Sequence, residues 1–213
     1  SDDLTMVRKI VSRIYNNDED LTSVMNFLCE TYKRTNSYQN WFPDRFENSL
    51  GKVSVPLVQG IGIWEEVNDE AIPTKKVIVA MANPEGSRQC SEYYIQIDPA
   101  YSFLEREVLE WIEGHFRESK KDSIKREKLI IHTIEGNPIR EALLTELGYE
   151  AGEIPCYLRL RPMGLPIPDS DCPKGFEIRS IRGRSDYDQL TSAVREVFGH
   201  GEWFNAEAYE GFT

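Results

Sequence analysis

Apolar residues recur at helical spacing in the first part of the chain. Leu21, Val24, Met25, Leu28 and Tyr32 fall on one stripe, and Asp18 stands where a cap is needed. The pattern predicts a helix over residues 18–33, preceded by a strand over 7–15. Trp41-Phe42-Pro43, with Phe46 after it, opens an aromatic segment, and Pro43 suits the first turn of a helix. Trp41, Phe42 and Phe46 can be core, or can line a pocket between the first helices. Three extended runs follow, over 60–66, 76–82 and 92–97. The middle one is apolar on both faces, as a central strand is. Asp98-Pro99 closes the third.

Residues 102–116 then read as a helix. Ser102 is placed to cap it, Glu105 suits a capping box, and Leu104, Val108, Trp111, Ile112 and His115 share a face. A short apolar strand over 129–134 is broken by Gly136-Asn137-Pro138. A helix over 139–147 follows and stops at Gly148. Residues 156–161 alternate cleanly, with Leu158 and Leu160 facing one way. The order β-α-(α)-β-β-β-α-β-α-β starts with a run of strands that suits an antiparallel meander. It ends in strand–helix–strand alternation that suits parallel pairing. The fold class expected is α/β: a twisted mixed sheet flanked by helices.

Residues 162–175 hold Pro162, Pro166, Pro168, Pro173, Gly164 and Gly175, the composition of a linker. A strand over 176–181 and a helix over 186–198 come next. This second start echoes the first. Leu21-Thr22-Ser23 recurs as Leu190-Thr191-Ser192, Trp41-Phe42 as Trp203-Phe204, and Phe46-Glu47 as Tyr209-Glu210, in the same order. The expected organisation is a domain over 1–161, a linker over 162–175, and the opening strand and helix of an incomplete second copy over 176–213. About 40 residues do not bury a core alone.

Composition narrows the partners. Hydrophobic residues are 40% of 213, enough for a core. The net charge of −11 lacks the positive footprint of a nucleic-acid binder, and no apolar run is long enough to span a bilayer. Lys120, Lys121, Lys125, Arg126 and Lys128 form a basic stretch, but Asp122 and Glu127 interrupt it, as in a solvated loop. Cys29, Cys90, Cys156 and Cys172 are scattered, which fits a reducing cytoplasm and not a zinc site. An acidic surface attracts cationic amines. His115, His132 and His200 are not at ligand spacing, and His132 inside an apolar strand reads as structural.

Tyr94-Ile95-Gln96-Ile97-Asp98-Pro99-Ala100-Tyr101, followed at once by an amphipathic helix, is similar to the strand and turn ahead of the acetyl-CoA loop of GNAT-type N-acetyltransferases. Gly136-Asn137-Pro138 through Leu147-Gly148-Tyr149 resembles the family's strand, Asn, helix and Gly-Phe segment. With the duplicated start, the chain resembles tandem GNAT proteins. The resemblance implies the GNAT fold, acetyl-CoA as cofactor and transfer of an acetyl group to the amine of a small molecule or peptide. It is compatible with a homo-oligomer. By position it implies that Ile97, Ser102, Phe103, Leu104 and Asn137 lie along the cofactor, and that Glu92 stands where some members keep a general base. Two departures matter. The family's glycine-rich loop holds a pyrophosphate on backbone N–H groups at a helix start. Here the matching run is Ser102-Phe103-Leu104-Glu105-Arg106-Glu107, without glycine and with two carboxylates. The family's proton-donating Tyr is Leu144, which has no proton to give. The reading is an acyl-CoA N-acyltransferase whose first domain is structural or regulatory. The alternative is a non-catalytic GNAT-like module that binds a ligand or supports a partner domain.

Overall fold

The computed structural model describes residues 9–36, 43, 46, 60–68, 70, 71, 73–85, 90–119, 128–153, 161–166 and 172–210. It divides into two compact units, Ser1–Glu153 and Ile154–Thr213. The boundary lies eight residues before the one expected, 161, from the sequence. The expected strand over 156–161 falls outside the described residues but for Arg161.

Unit 1 is built on one sheet of order β1-β2-β3-β4-β5. Its strands are β1 (Lys9–Ile14), β2 (Gly62–Asn68), β3 (Lys75–Glu85), β4 (Cys90–Ile97) and β5 (Lys128–Ile131). The first four form an antiparallel meander, and β5 joins β4 in parallel. A parallel neighbour needs a crossover, and α2 (Glu105–Ser119) supplies it. The helix α1 (Asn17–Thr35) joins β1 toward β2, and α3 (Pro138–Glu146) follows β5. The mixed sheet flanked by helices is the architecture expected.

Each sheet face carries its own core. On one, Trp64, Val79, Ala82, Ile95 and Ile97 pack with Leu104, Val108, Leu109 and Ile112 of the crossover. On the other, Ile63, Ile78, Met81 and Tyr94 pack with Val24, Phe27 and Leu28 of α1, and with Phe46. Phe46 is fully buried, edge-on to Tyr15 with ring centroids 5.7 Å apart. Its place is core; Trp41 and Phe42 lie outside the described residues. The α2 helix comes close enough to β2 that a side chain at 62 would have to push the Trp111 ring aside. A Cβ there would lie 2.9 Å from the Trp111 ring.

One start differs from the expectation. Ser102 does not cap the crossover helix. A 3₁₀ turn, Pro99–Leu104, comes first, and Asp98 caps it by accepting from the Ala100 N–H at 3.0 Å. Glu105, freed from a capping box, is used elsewhere.

Unit 2 holds α4 (Tyr187–Phe198) and the short α5 (Ala206–Glu210). The strand expected over 176–181 is not formed: no strand occurs among the described residues of this unit. The reason is physical. Alternation makes a strand only where a neighbour completes its ladder. Here Phe176 and Ile178 are 75% and 82% exposed.

The start of unit 2 nevertheless repeats a set of contacts made at the start of unit 1, where Arg13 additionally pairs with Glu65 of β2. Arg13 donates to both oxygens of Asp20 at 2.6 and 2.7 Å, and to the Ile14 carbonyl. The Asn16 N–H donates to Asp20 Oδ2 at 2.7 Å. In unit 2, Arg179 donates to both oxygens of Asp186 at 2.5 and 3.2 Å, and to the Ser180 carbonyl, while the Arg182 N–H donates to Asp186 Oδ2 at 2.8 Å. The offsets of seven, one and four residues are the same in both.

Candidate functional site

The parallel seam between β4 and β5 is short. Its register runs from Cys90↔Lys128 to Tyr93↔Ile131, and the His132 N–H extends it by donating to the Tyr93 carbonyl at 3.0 Å. β4 continues to Ile97, but β5 does not accompany it. The edge of β4 beyond Tyr93 is where an extended ligand could add amide hydrogen bonds. A side chain reaches it instead: Arg140 Nη1, from α3, donates to the Ile95 carbonyl at 3.3 Å.

Arg140 is the centre of what fills this place. It is wholly buried. Its Nε donates to Glu105 Oε2 at 2.8 Å and its Nη2 to Glu105 Oε1 at 3.0 Å, a forked pair in which both charges are out of water. Asn137 adds a third donor, Nδ2 to Glu105 Oε1 at 3.4 Å, while its Oδ1 accepts from the Arg140 N–H and caps α3. Glu105 opens the crossover helix, so its carboxylate also lies where the helix dipole favours negative charge. The anion position at that helix start is taken by the chain's own carboxylate. Glu107, the second carboxylate of that run, accepts from the Trp64 indole N–H at 2.8 Å.

The other candidates are spread around this core. Ile97 is buried and packs on the α2 side. Ser102 is half-buried, Phe103 is 62% exposed, and Leu104 is buried in the same core as Ile97. Leu144 is partly buried and packs against that core. Of the named cofactor positions, Asn137 is the one that touches the Glu105–Arg140 pair.

Glu92 stands on β4 near its start, half-buried. His132 Nε2 lies 3.1 Å from Glu92 Oε2, and the His132 ring stacks on Tyr94 with centroids 4.2 Å apart. His132 therefore joins the candidate base, where the sequence suggested only an apolar environment. Near the end of the crossover helix, the Tyr149 hydroxyl donates to Glu113 at 3.2 Å. Burial first, then the Glu113 charge, holds that phenol well above its ordinary range. No group of His, Cys, Asp and Glu suited to a metal ion occurs among the described residues.

Sequence reasoning missed Arg140. A signal was present: Arg140, Leu143, Leu144 and Leu147 share one helical stripe. An arginine on an apolar stripe calls for a buried acid. The repeated Arg-to-Asp spacing of seven was equally legible and unread.

No family model matches the chain, and no curated protein matches it. Solved structures do. AAC(6')-Iy, in complex with a CoA-containing bisubstrate analogue, is 13% identical over 72% of this chain and 99% of its own, with a TM-score of 0.44. A Trypanosoma brucei acetyltransferase is 16% identical over 71% of this chain and all of its own, with a TM-score of 0.42. At that level of likeness the chemistry rests on the residues of the site itself. No helix among the described residues is long and apolar enough to cross a membrane.

Proposed function

We propose that the first domain is a GNAT-type module that has given up its acyl-CoA site and serves as a structural or regulatory part of an acyl-CoA-dependent N-acyltransferase. The order of meander, crossover helix, short parallel seam and following helix supports the family reading. The observation that carries the loss of the site is the buried Glu105–Arg140 pair. A pyrophosphate at that helix start would have to displace the Glu105 carboxylate and leave a buried charge unpaired. Breaking a buried pair costs about 3–5 kcal/mol. That is roughly two to three and a half decades in Kd.

Acetyl transfer to a small-molecule or peptide amine then belongs to a second copy, of which residues 176–213 are opening elements. The matched contacts of Arg13–Asp20 and Arg179–Asp186 support the duplication.

The test is calorimetric titration of acetyl-CoA into the chain. The expected result is no binding in the micromolar range. Micromolar binding that is abolished by Phe103→Trp would show a working loop and overturn the reading.

A further inference from the structure

A cleft opens at the far end of the crossover helix. On α2, Glu113, Phe116 and Arg117 stand three and four residues apart and so share one face. After α3 the chain makes a left-handed turn at Gly148, with φ at 83°. The Gly148 N–H donates to the Thr145 carbonyl at 3.1 Å and the Tyr149 N–H to the Leu144 carbonyl at 2.9 Å. That turn brings Tyr149 back to α2, where its hydroxyl meets Glu113. With Leu129 of β5 and Leu147, these residues line a cleft of about 430 Å³ that is open to solvent. Small-molecule sites typically occupy about 300–1,000 Å³. Glu113 lies eight residues along α2 from Glu105, roughly 12 Å at 1.5 Å per residue, so the cleft is separate from the Glu105–Arg140 pair.

Phe116, Leu129 and Leu147 give the cleft an apolar lining, and its polar groups form one cluster. One oxygen of Glu113 accepts from the Tyr149 hydroxyl at 3.2 Å, and the other accepts from Arg117 Nη2 at 2.6 Å. A carboxylate offers about four lone-pair sites, so Glu113 has room for a further donor. Its side chain is 19% exposed, whereas that of Arg117 is 70% exposed. The ion pair is therefore screened on the arginine side, and the guanidinium can swing away at little cost. Charge inside the cleft is negative in spite of that pair. Burial, then the charge and hydrogen bond of Glu113, raise the Tyr149 phenol, and the opposing effect of Arg117 comes last.

We propose that this cleft binds a primary amine with a compact apolar body, its ammonium donating to Glu113 and its body lying against Phe116, Leu129 and Leu147. A carboxylate of the same shape would meet the charge of Glu113. A divalent metal ion does not fit, since it takes several oxygen ligands and Glu113 is the one carboxylate in the lining. The net charge of −11 raises the local concentration of such a cation. The inference does not rest on the acyl-transfer reading, because it uses none of the residues assigned to the acyl-CoA position.

The experiment is calorimetric titration of 2-phenylethylamine, ethylamine and 3-phenylpropionate into the full chain at physiological salt, which screens loose surface attraction. Phenylethylamine is expected to bind, with ethylamine and phenylpropionate each about tenfold weaker or more. Glu113→Gln should weaken phenylethylamine about tenfold. Arg117→Gln removes a competing cation and should tighten it about threefold. Arg117 is exposed, so that variant keeps the comparison open if Glu113→Gln does not fold. Methyl resonances of Leu129 and Leu147 should shift as the amine is added, which places it in the cleft. The proposal falls if phenylethylamine gives no heat, or if phenylpropionate binds as tightly. It falls equally if Glu113→Gln leaves the affinity unchanged, if Arg117→Gln leaves it unchanged or lowers it, or if those methyl groups do not respond. Acetyl-CoA binding in the same chain would overturn the donor-site reading and leave this one standing.

Discussion

At the scale of single residues, the proposed loss of a cofactor site rests on Glu105 and the guanidinium it faces. The resemblance set glutamates at both positions where the family keeps loop glycines. It did not show that the first of them would be buried, because its partner lies 35 residues on and on another helix. Local pattern reads caps and stripes, whereas a long-range ion pair needs the fold. The pair makes a prediction that separates packing from charge. Arg140→Met should destabilise the chain by about 3–5 kcal/mol in a denaturant melt, because the buried Glu105 carboxylate loses the guanidinium it faces. The double variant E105L/R140M should recover most of that loss, since an apolar pair of similar volume removes both desolvated charges. A double variant as unstable as the single one would mean that the pair's fit, and not its charge, holds α3 in place. Gly62 tests the facing strand. Gly62→Ala should cost about 1–3 kcal/mol by overpacking against Trp111, and adding Trp111→Leu should recover part of it.

At the scale of elements, the sequence predicted every described strand of unit 1 to within a few residues, because each one's face is set by local alternation. It misread two beginnings. The crossover helix starts at Glu105 and not Ser102, since Asp98-Pro99 winds a 3₁₀ turn first. Residues 176–181 have a strand's alternation and do not form a strand. The β1–α1 unit carries a pH prediction at both ends of the scale. The Arg13 hydrogen bonds, helped by the Asn16 N–H, hold Asp20 below the usual carboxylate range against the opposing effect of burial. A depressed acid contributes stability that is present above its unfolded pKa near 4 and is lost as pH falls through the folded value. Burial, followed by the Asp20 charge, pushes the Tyr15 phenol up to about 12. The native state keeps that proton after the unfolded chain has lost it near pH 10, so stability declines as pH climbs from about 10 toward 12. Denaturant melts across pH should therefore fall away on both sides. Asp20→Asn should flatten the acid limb and Tyr15→Phe the alkaline one. An alkaline limb unchanged in Tyr15→Phe would assign it to another group.

At the scale of the whole molecule, the two units differ in what they bury. Unit 1 covers both faces of a five-stranded sheet, with Trp64, Leu28, Ile95 and Ile112 fully enclosed. Among the described residues of unit 2, Thr191 and Ala206 are the buried ones, while Phe176, Ile178, Phe198 and Trp203 are mostly exposed. Ordering a residue costs roughly 1–2 kcal/mol of backbone entropy, and fully burying a large apolar side chain returns about 1.5–3 kcal/mol. Two helices with one small apolar residue and one threonine buried do not balance that cost, whereas a two-faced sheet does. The Arg179–Asp186 fork is exposed to water and does not change the balance, since such pairs contribute about 0–1 kcal/mol. Residues 1–153 and 154–213, expressed separately, should therefore behave differently. The first should melt cooperatively, with slow amide exchange in β2, β3 and β4. The second should show weak helical circular dichroism without a cooperative transition, and gain one only when an added sheet covers α4 and residues 176–181. A second fragment that melts sharply by itself, with protected amides through 187–198, would mean that its apolar faces find cover within those 60 residues, and would remove the main reason for reading them as the opening of a further copy.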